Sequence, residues 1–335
     1  MNINEVLQTG REALLNNGID PREARLLLAF VMQVKKEELI KYKECSEEIF
    51  KQFINLIEKR VSGEPYAYIV GYKEFMKLNF KVNSNVLIPR EDTEILVQEI
   101  IDLVANNYFE KAENISSITD NINKDNATKQ NYKIIKILDM CTGSGCIAIS
   151  LAKYIKNSEV TAVDISENAL KIAKENAIIN DVKIDFIKSN LFENVLCKFE
   201  ENMDDSNKKL KQNNIAKKFD IIVSNPPYIK KEVIETLQKE VKREPILALD
   251  GGKSGLEFYE KIIHQAKEYL NNNGILAFEI GFAQGEAVSK IMKENGFKDI
   301  VIKKDISEND RIVIGRIEKN HNKKGGAIKC LFLQI

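Results

Sequence analysis

From residue 134 onward, short apolar runs alternate with segments whose apolar positions have helical spacing. The first five runs are as long as buried strands. They lie near 134–139, 159–163, 183–188, 219–224 and 274–280. Strands that alternate with helices are typical of a parallel sheet with helices on both faces. This pattern predicts an α/β fold with a doubly wound sheet.

Two more apolar runs close the pattern, at 297–304 and 311–317. The acidic turn between them is too short for the crossover helix that a parallel pair would need. We therefore expect these two strands to be antiparallel, so that the sheet ends in an antiparallel last strand.

The amino-terminal part of the chain has helical spacing without intervening strands. Apolar stripes in the first 31 residues and at 47–61 predict a small helical bundle, to which we assign residues 1–73. Period-2 alternation at 74–82 predicts a hairpin within a linker, 74–88. Residues 89–317 then form the main domain, and 318–335 a flexible tail.

Two polar stretches interrupt the main domain. One, 106–132, follows a predicted helix at 93–106, and the other, 202–218, separates the third and fourth strands. Both are rich in Asn, Lys, Asp and Ser, which favours solvated surface loops.

A glycine-containing turn, Cys141-Thr142-Gly143-Ser144-Gly145, follows the first strand and precedes a helix. Strand, tight turn and helix start form the arrangement in which backbone N–H groups hold a nucleotide-like ligand. Gly143 and Gly145 allow positive φ and a close approach of that ligand. The second strand ends in Asp164, whose carboxylate can accept hydrogen bonds from both ribose hydroxyls. These residues predict a nucleoside site.

The turn also indicates which nucleoside. It lacks the third glycine of the dinucleotide fingerprint. In addition, Asp139 at its entrance would repel a diphosphate. A cationic ligand without phosphates, such as S-adenosylmethionine, suits this turn better.

A second motif, Asn225-Pro226-Pro227-Tyr228, directly follows the strand at 219–224. The prolines end the strand, and Asn225 is kept extended because a proline follows it. Its carboxamide therefore stands at the sheet edge where ligands bind. A carboxamide and a backbone carbonyl can together recognise another planar amide or an aminopurine edge.

With these two motifs the chain resembles class I methyltransferases that act on planar nitrogen. Further segments resemble motifs of the release factor glutamine methyltransferases, over about 5–317. These segments are 60–65 (RVSGEP), 88–94 (IPREDTE), 244–252 (EPILALDGG), 255–256 (GL), 279–281 (EIG) and 310–311 (DR). Two positions depart from the family pattern: Cys141 stands where a glycine is usual, and Leu191 where an aromatic residue is common.

The resemblance implies a cytoplasmic enzyme of translation termination that uses S-adenosylmethionine as its cofactor. It would methylate the side-chain amide nitrogen (N5) of the glutamine in the Gly-Gly-Gln motif of bacterial peptide-chain release factors. The implied cofactor contacts are Asp139, Cys141, Thr142, Gly143, Ser144, Gly145, Asp164, Leu191 and Asn225. The substrate would contact Asn225, Pro226, Pro227 and Tyr228, with catalytic roles for Asn225, Pro226 and Tyr228. Residues 1–73, which carry no cofactor motif, would dock the substrate.

Three alternatives stay open: a ribosomal-protein glutamine methyltransferase, an adenine-N6 methyltransferase acting on nucleic acid, and a non-catalytic module that binds the cofactor. Equal numbers of acidic and basic residues, 50 each, argue against nucleic-acid binding. Five cysteines without a C-x-x-C pair and only two histidines favour reduced cytosolic thiols and no metal site. No apolar run approaches the roughly 20 residues of a membrane span.

Overall fold

A helical bundle forms the amino-terminal part of the chain. The computed structural model describes residues 1–116, 134–197 and 215–318. The bundle helices are α1 (Ile3–Leu15), α2 (Glu23–Val31), α3 (Glu47–Val61) and α4 (Tyr66–Val70). Side chains of Asn2 and Ser46 cap the first turns of α1 and α3. Leu14, Leu27 and Phe53 are fully buried at the bundle centre. The predicted helical bundle is confirmed.

A hairpin and a long helix connect the bundle to the sheet. The hairpin strands are β1 (Tyr72–Phe75) and β2 (Leu78–Lys81). Helix α5 (Glu91–Ser116) follows, so our prediction that the helix ends and a loop begins at 106 is wrong. Residues 110–113 are Glu, Lys, Ala and Glu, all strong helix formers, and this local propensity outweighs the polar composition of the stretch. The rest of the predicted loop, 117–132, lies outside the described residues.

The main domain is built on a seven-stranded sheet in the order β10-β11-β9-β8-β3-β4-β5. Its strands are β3 (Ile135–Met140), β4 (Ser158–Asp164), β5 (Asp185–Lys188), β8 (Phe219–Ser224), β9 (Leu270–Glu279), β10 (Phe297–Lys304) and β11 (Asp310–Ile317). β5, β4, β3, β8 and β9 are parallel, whereas β11 pairs antiparallel with both β9 and β10. The predicted doubly wound sheet with an antiparallel last strand is confirmed.

Helices cover both faces of the sheet. They are α6 (Cys146–Tyr154), α7 (Glu167–Ile179), α8 (Lys231–Ile234), α9 (Ile246–Leu249), α10 (Glu257–Tyr269) and α11 (Gly285–Glu294). Residues of α5 and α6 share one hydrophobic core with the sheet, and residues of α10 and α11 share the other. Successive residues of β3 serve the two cores, Ile137 one and Leu138 the other, because side chains alternate along a strand.

Two short strands lie beside the sheet, β6 (Leu196–Cys197) and β7 (Ile215–Ala216), and pair antiparallel. β7 falls inside the stretch 202–218, which we predicted to be entirely loop, so that prediction is wrong at 215–216. These two residues are extended because they pair with β6 on the other side of the stretch. The local composition does not indicate this pairing. Residues 202–214, and the predicted tail from 319 to 335, lie outside the described residues. No helix in the described part of the chain is long and apolar enough to cross a membrane.

Candidate active site

A cavity of about 340 Å³ lies at the carboxyl ends of β3, β4 and β8, the three central parallel strands. From β3 the chain continues to β4 on one side, and β8 lies on the other, so this edge is a topological switch point, where open α/β sheets bind ligands. The volume is within the range of small-molecule sites. The lining residues used below are Thr93, Cys141, Thr142, Gly143, Ser144, Asp164, Leu191, Asn225 and Pro227.

The buried carboxylate of Asp139 stabilises the turn after β3. Its Oδ2 accepts hydrogen bonds from the Thr142 hydroxyl (2.5 Å) and the Ala148 backbone N–H (3.1 Å). Gly143 and Gly145 have φ of +55° and +81°, which confirms the predicted positive φ. A Cβ on Gly143 would meet no atom within 4 Å, whereas one on Gly145 would meet Ile149 and Ala173 at 3.0 and 3.1 Å. Gly143 therefore opens on the cavity, and Gly145 allows the turn to pack.

Asp139 itself does not line the cavity. Its side chain is fully buried, and its Oδ1 has no hydrogen-bond partner among the residues that the structure describes. Burial raises the pKa of this carboxyl to about 7 against the opposing hydrogen bond from Thr142. Asp139 thus supports the turn from beneath, and a direct cofactor contact stays a prediction.

Asp164 ends β4 at the cavity wall. Its Oδ2 accepts from the Gly143 N–H at 2.9 Å and its Oδ1 from the Ser166 N–H at 2.8 Å. Each carboxylate oxygen has a second lone pair, so both can still accept a ligand hydroxyl. Burial raises the pKa of Asp164, and these two backbone bonds oppose that shift.

Cys141 and Leu191, the two positions that depart from the family pattern, both line the cavity. Cys141 has φ of +62° and Leu191 φ of +51°. These values lie in the left-handed region, which glycine adopts without steric cost and other residues adopt rarely. The glycine usual at position 141 in the family would therefore suit the backbone conformation found here.

Asn225 follows β8 and lines the cavity, as does Pro227. The Asn225 Nδ2 donates to the Thr93 hydroxyl at 3.3 Å. Pro226 and Tyr228 are not among the cavity-lining residues. The Tyr228 hydroxyl donates to Glu279 Oε1 at 3.4 Å, and burial raises the pKa of this tyrosine well above its usual range. The predicted packing of Tyr228 on a substrate amide stays a prediction.

The backbone after the Asn-Pro-Pro-Tyr motif is fixed by the segment around 249–255. The Ile229 N–H donates to the Leu249 carbonyl at 3.0 Å, and the Gly251 N–H donates to the Ile229 carbonyl at 2.8 Å. A Cβ on Gly251 would lie 2.6 Å from the Tyr228 Cα, and one on Gly255 would lie 2.6 Å from the Tyr228 carbonyl oxygen. Only glycine allows this approach. The family-like EPILALDGG and GL segments therefore hold the motif in place.

Two buried polar residues beneath the motif had no predicted role. Thr93 lies at the start of α5 and Glu279 at the end of β9, and their side chains are 2% and 1% exposed. The Thr93 hydroxyl donates to Glu279 Oε2 at 2.5 Å. Both residues belong to segments that resemble family motifs, IPREDTE and EIG, and this resemblance is the signal that could have found them.

The polar groups at the cavity suit a nucleoside that carries a positive charge. Gly143 leaves space at the turn, and Asp164 offers acceptors for a diol. Asp139 adds a buried carboxylate with an unpartnered oxygen beneath the turn. The site thus provides acceptors and negative charge for a cation without phosphates, as S-adenosylmethionine is.

Models of known protein families match both the helical bundle and the main domain of this chain. A family model described as the PrmC N-terminal domain matches residues 5–71. A model of the ubiE/COQ5 methyltransferase family matches 89–225, and one of the Eco57I restriction-modification methylases matches 158–305. A relative from Clostridium botulinum, named release factor glutamine methyltransferase, is 37% identical over 299 residues, which cover 88% of this chain and 91% of the relative. The chain belongs to the release factor glutamine methyltransferase family.

Other known proteins also match most of the length of this chain. One from Thermodesulfovibrio yellowstonii is 35% identical and covers 91% of this chain and 95% of the relative. The chain also matches a bifunctional methyltransferase from Rickettsia felis at 37% identity, but covers 57% of that longer protein. A solved release-factor-specific protein-(glutamine-N5) methyltransferase from Alicyclobacillus acidocaldarius is similar with 23% identity and a TM-score of 0.36, covering 72% of this chain and 100% of that chain.

Proposed function

We propose that this protein transfers a methyl group from S-adenosylmethionine to the side-chain amide nitrogen of the glutamine in the Gly-Gly-Gln motif of a bacterial peptide-chain release factor. Membership of the release factor glutamine methyltransferase family, at 37% identity over 88% of the chain, carries the proposal. The cavity supports it, because residues 141–144, Asp164 and Asn225, which are proposed to contact the cofactor and the acceptor, all line it.

The cofactor, when bound, supplies an electrophilic methyl group on a positively charged sulfur. The residues proposed to hold it are the turn 141–145, Asp164 and Leu191, supported from beneath by Asp139. Asp164, which lines the cavity, would accept the ribose hydroxyls, and the open space at Gly143 would leave room for the ligand at the turn.

Asn225 and Pro226 are proposed to hold the acceptor. An amide nitrogen is a weak nucleophile because its lone pair is delocalised into the carbonyl. The Asn225 Oδ1 and the Pro226 carbonyl would accept its two N–H bonds and align the nitrogen with the methyl group. The bound cofactor would supply the methyl group and leave as a neutral thioether, and the methylated nitrogen would lose one proton to solvent water. Holding reactants in this geometry supplies up to about 7–11 kcal/mol of barrier reduction.

The amino-terminal bundle is proposed to dock the substrate protein. It contacts the segment that follows the acceptor motif, since the buried Arg60 on α3 pairs with Glu240 at 2.8 Å. A Gly-Gly-Gln loop offers little contact area, so recognition requires a second, remote contact. Truncation of the bundle should therefore reduce methylation of a whole release factor far more than methylation of a short Gly-Gly-Gln peptide.

The test of function is methyl transfer from labelled cofactor to three separate acceptors: a whole release factor, ribosomal proteins and DNA. Mass spectrometry then locates the label, and Asn225→Ala serves as the inactive control. We expect label on the glutamine of the release factor. Label on a ribosomal protein or on DNA, with none on the release factor, would overturn the proposal.

A further inference from the structure

Three polar residues from distant parts of the chain form one connected chain of hydrogen bonds under the acceptor site. Asn225 Nδ2 donates to Thr93 Oγ1 at 3.3 Å, and Thr93 Oγ1 donates to Glu279 Oε2 at 2.5 Å. Glu279 Oε1 also accepts from Tyr228 at 3.4 Å. Asn225 and Thr93 both line the cavity, and Asn225 belongs to the proposed acceptor site.

The direction of these bonds follows from the number of protons available. An amide nitrogen can only donate, so Thr93 accepts from Asn225 and its single hydroxyl proton goes to Glu279. If the carboxamide were flipped, Thr93 would have to donate both to Asn225 Oδ1 and to the Glu279 carboxylate, which one proton does not allow. The network therefore permits one orientation of Asn225 when Glu279 is ionised.

That orientation places Nδ2 inward and leaves Oδ1 on the other side of the planar carboxamide. Among the described residues, none donates a hydrogen bond to Asn225 Oδ1. The oxygen is thus available as an acceptor, which is what a substrate N–H group needs.

We propose that Thr93 and Glu279 are positioning residues, which hold the Asn225 carboxamide so that its oxygen faces the acceptor amide. The proposal rests on the proposed function. It also gives a role to one residue in each of two family-like segments, IPREDTE and EIG. Thr93 and Glu279 are almost fully buried, so above pH 7, where Glu279 is ionised, the orientation is set before the substrate arrives and is shielded from competing water.

The test compares Thr93→Val, which keeps the shape and removes the hydroxyl, with Thr93→Ser, which restores it. Thr161→Val is the matched control, since Thr161 is 3% exposed on β4 and its hydroxyl accepts a hydrogen bond from Lys217. The measurements are the methylation rate at saturating cofactor and release factor, and cofactor affinity by calorimetry. Both are made at pH 8.5, so that Glu279, whose pKa burial raises to about 7, is ionised. Thermal unfolding confirms that each variant is folded, and Thr93→Ala replaces Thr93→Val if the latter does not fold.

We expect Thr93→Val to lower the saturated rate by about tenfold or more, because misplacement of a reacting group costs up to about 100-fold. Cofactor affinity should stay within about twofold, Thr93→Ser should recover most of the rate, and Thr161→Val should keep it. A smaller loss in Thr93→Val, no recovery in Thr93→Ser, or an equal loss in Thr161→Val would overturn the proposal. If the wild-type protein does not methylate the release factor, the proposed function itself fails, which is a separate result.

Discussion

Asp164 provides the sharpest test of the cofactor site. Its carboxylate ends β4 at the cavity and holds one backbone N–H of the turn and one of the following loop. We expect Asp164→Ala to weaken cofactor binding strongly and to slow the saturated methylation rate only slightly. The ribose hydroxyls do not change charge during methyl transfer, so the loss affects the ground state and the transition state alike.

The magnitude follows from the number of bonds lost. A hydrogen bond to a charged group contributes about 1.5–3 kcal/mol, and two ribose hydroxyls would use the remaining lone pairs of Asp164. Loss of both at the lower end costs about 3 kcal/mol, or roughly a 100-fold increase in Kd. Removing the carboxylate also releases the N–H groups of Gly143 and Ser166, which we expect to lower the free energy of unfolding by about 1–2 kcal/mol.

The assay pairs calorimetric titration of the cofactor with rates at saturating cofactor. Asp185→Ala is the control, because this carboxylate begins the neighbouring strand β5 and pairs with Lys217 outside the cavity lining. Its cofactor affinity should equal that of the wild type. The reasoning is refuted if Asp164→Ala keeps its cofactor affinity while its saturated rate collapses, or if Asp185→Ala weakens the cofactor equally.

Three further predictions concern the acceptor site and the fold. Asn225→Ala should lower the saturated rate by about 100-fold or more while cofactor affinity stays nearly unchanged; more than a tenth of the activity remaining would contradict its role. Burial raises the pKa of Glu279 to about 7 in the folded protein, so its stabilising contribution is present below its unfolded pKa and is lost as pH rises through 7. Glu279→Gln should thus match the wild type in urea unfolding at pH 4 but be more stable by about 2–3 kcal/mol at pH 8.5, and a difference independent of pH would contradict the raised pKa. Arg60→Met should lower the free energy of unfolding in urea by about 2–3 kcal/mol, because it leaves the partly buried carboxylates of Glu23 and Glu240 without their cation. Lys51→Met, which breaks an exposed ion pair, should lower it by less than about 0.5 kcal/mol, and equal losses would refute the effect of burial.

Local sequence patterns were sufficient to predict the elements that bear the site. The strand 219–224 was predicted with the bounds found in the structure, since the two prolines after Asn225 forbid its continuation. The positive φ values of Gly143 and Gly145 were likewise expected from the turn itself. The antiparallel pairing of the last two strands followed from the length of their connection. Each of these features depends on residues that are neighbours in the chain.

Features that depend on distant residues were not predicted. The pairing that makes residues 215–216 a strand joins two sides of a polar stretch.

The network beneath the acceptor site is decided by tertiary structure in the same way. Thr93 reaches Asn225 only because α5 packs against the sheet, and Glu279 reaches Thr93 because β9 lies next to β8. Periodicity gives the type and bounds of an element, but not its neighbours in the sheet. The sequence by itself therefore determined which strand carries the Asn225 carboxamide, and the tertiary packing of α5 and β9 decided which buried groups orient it.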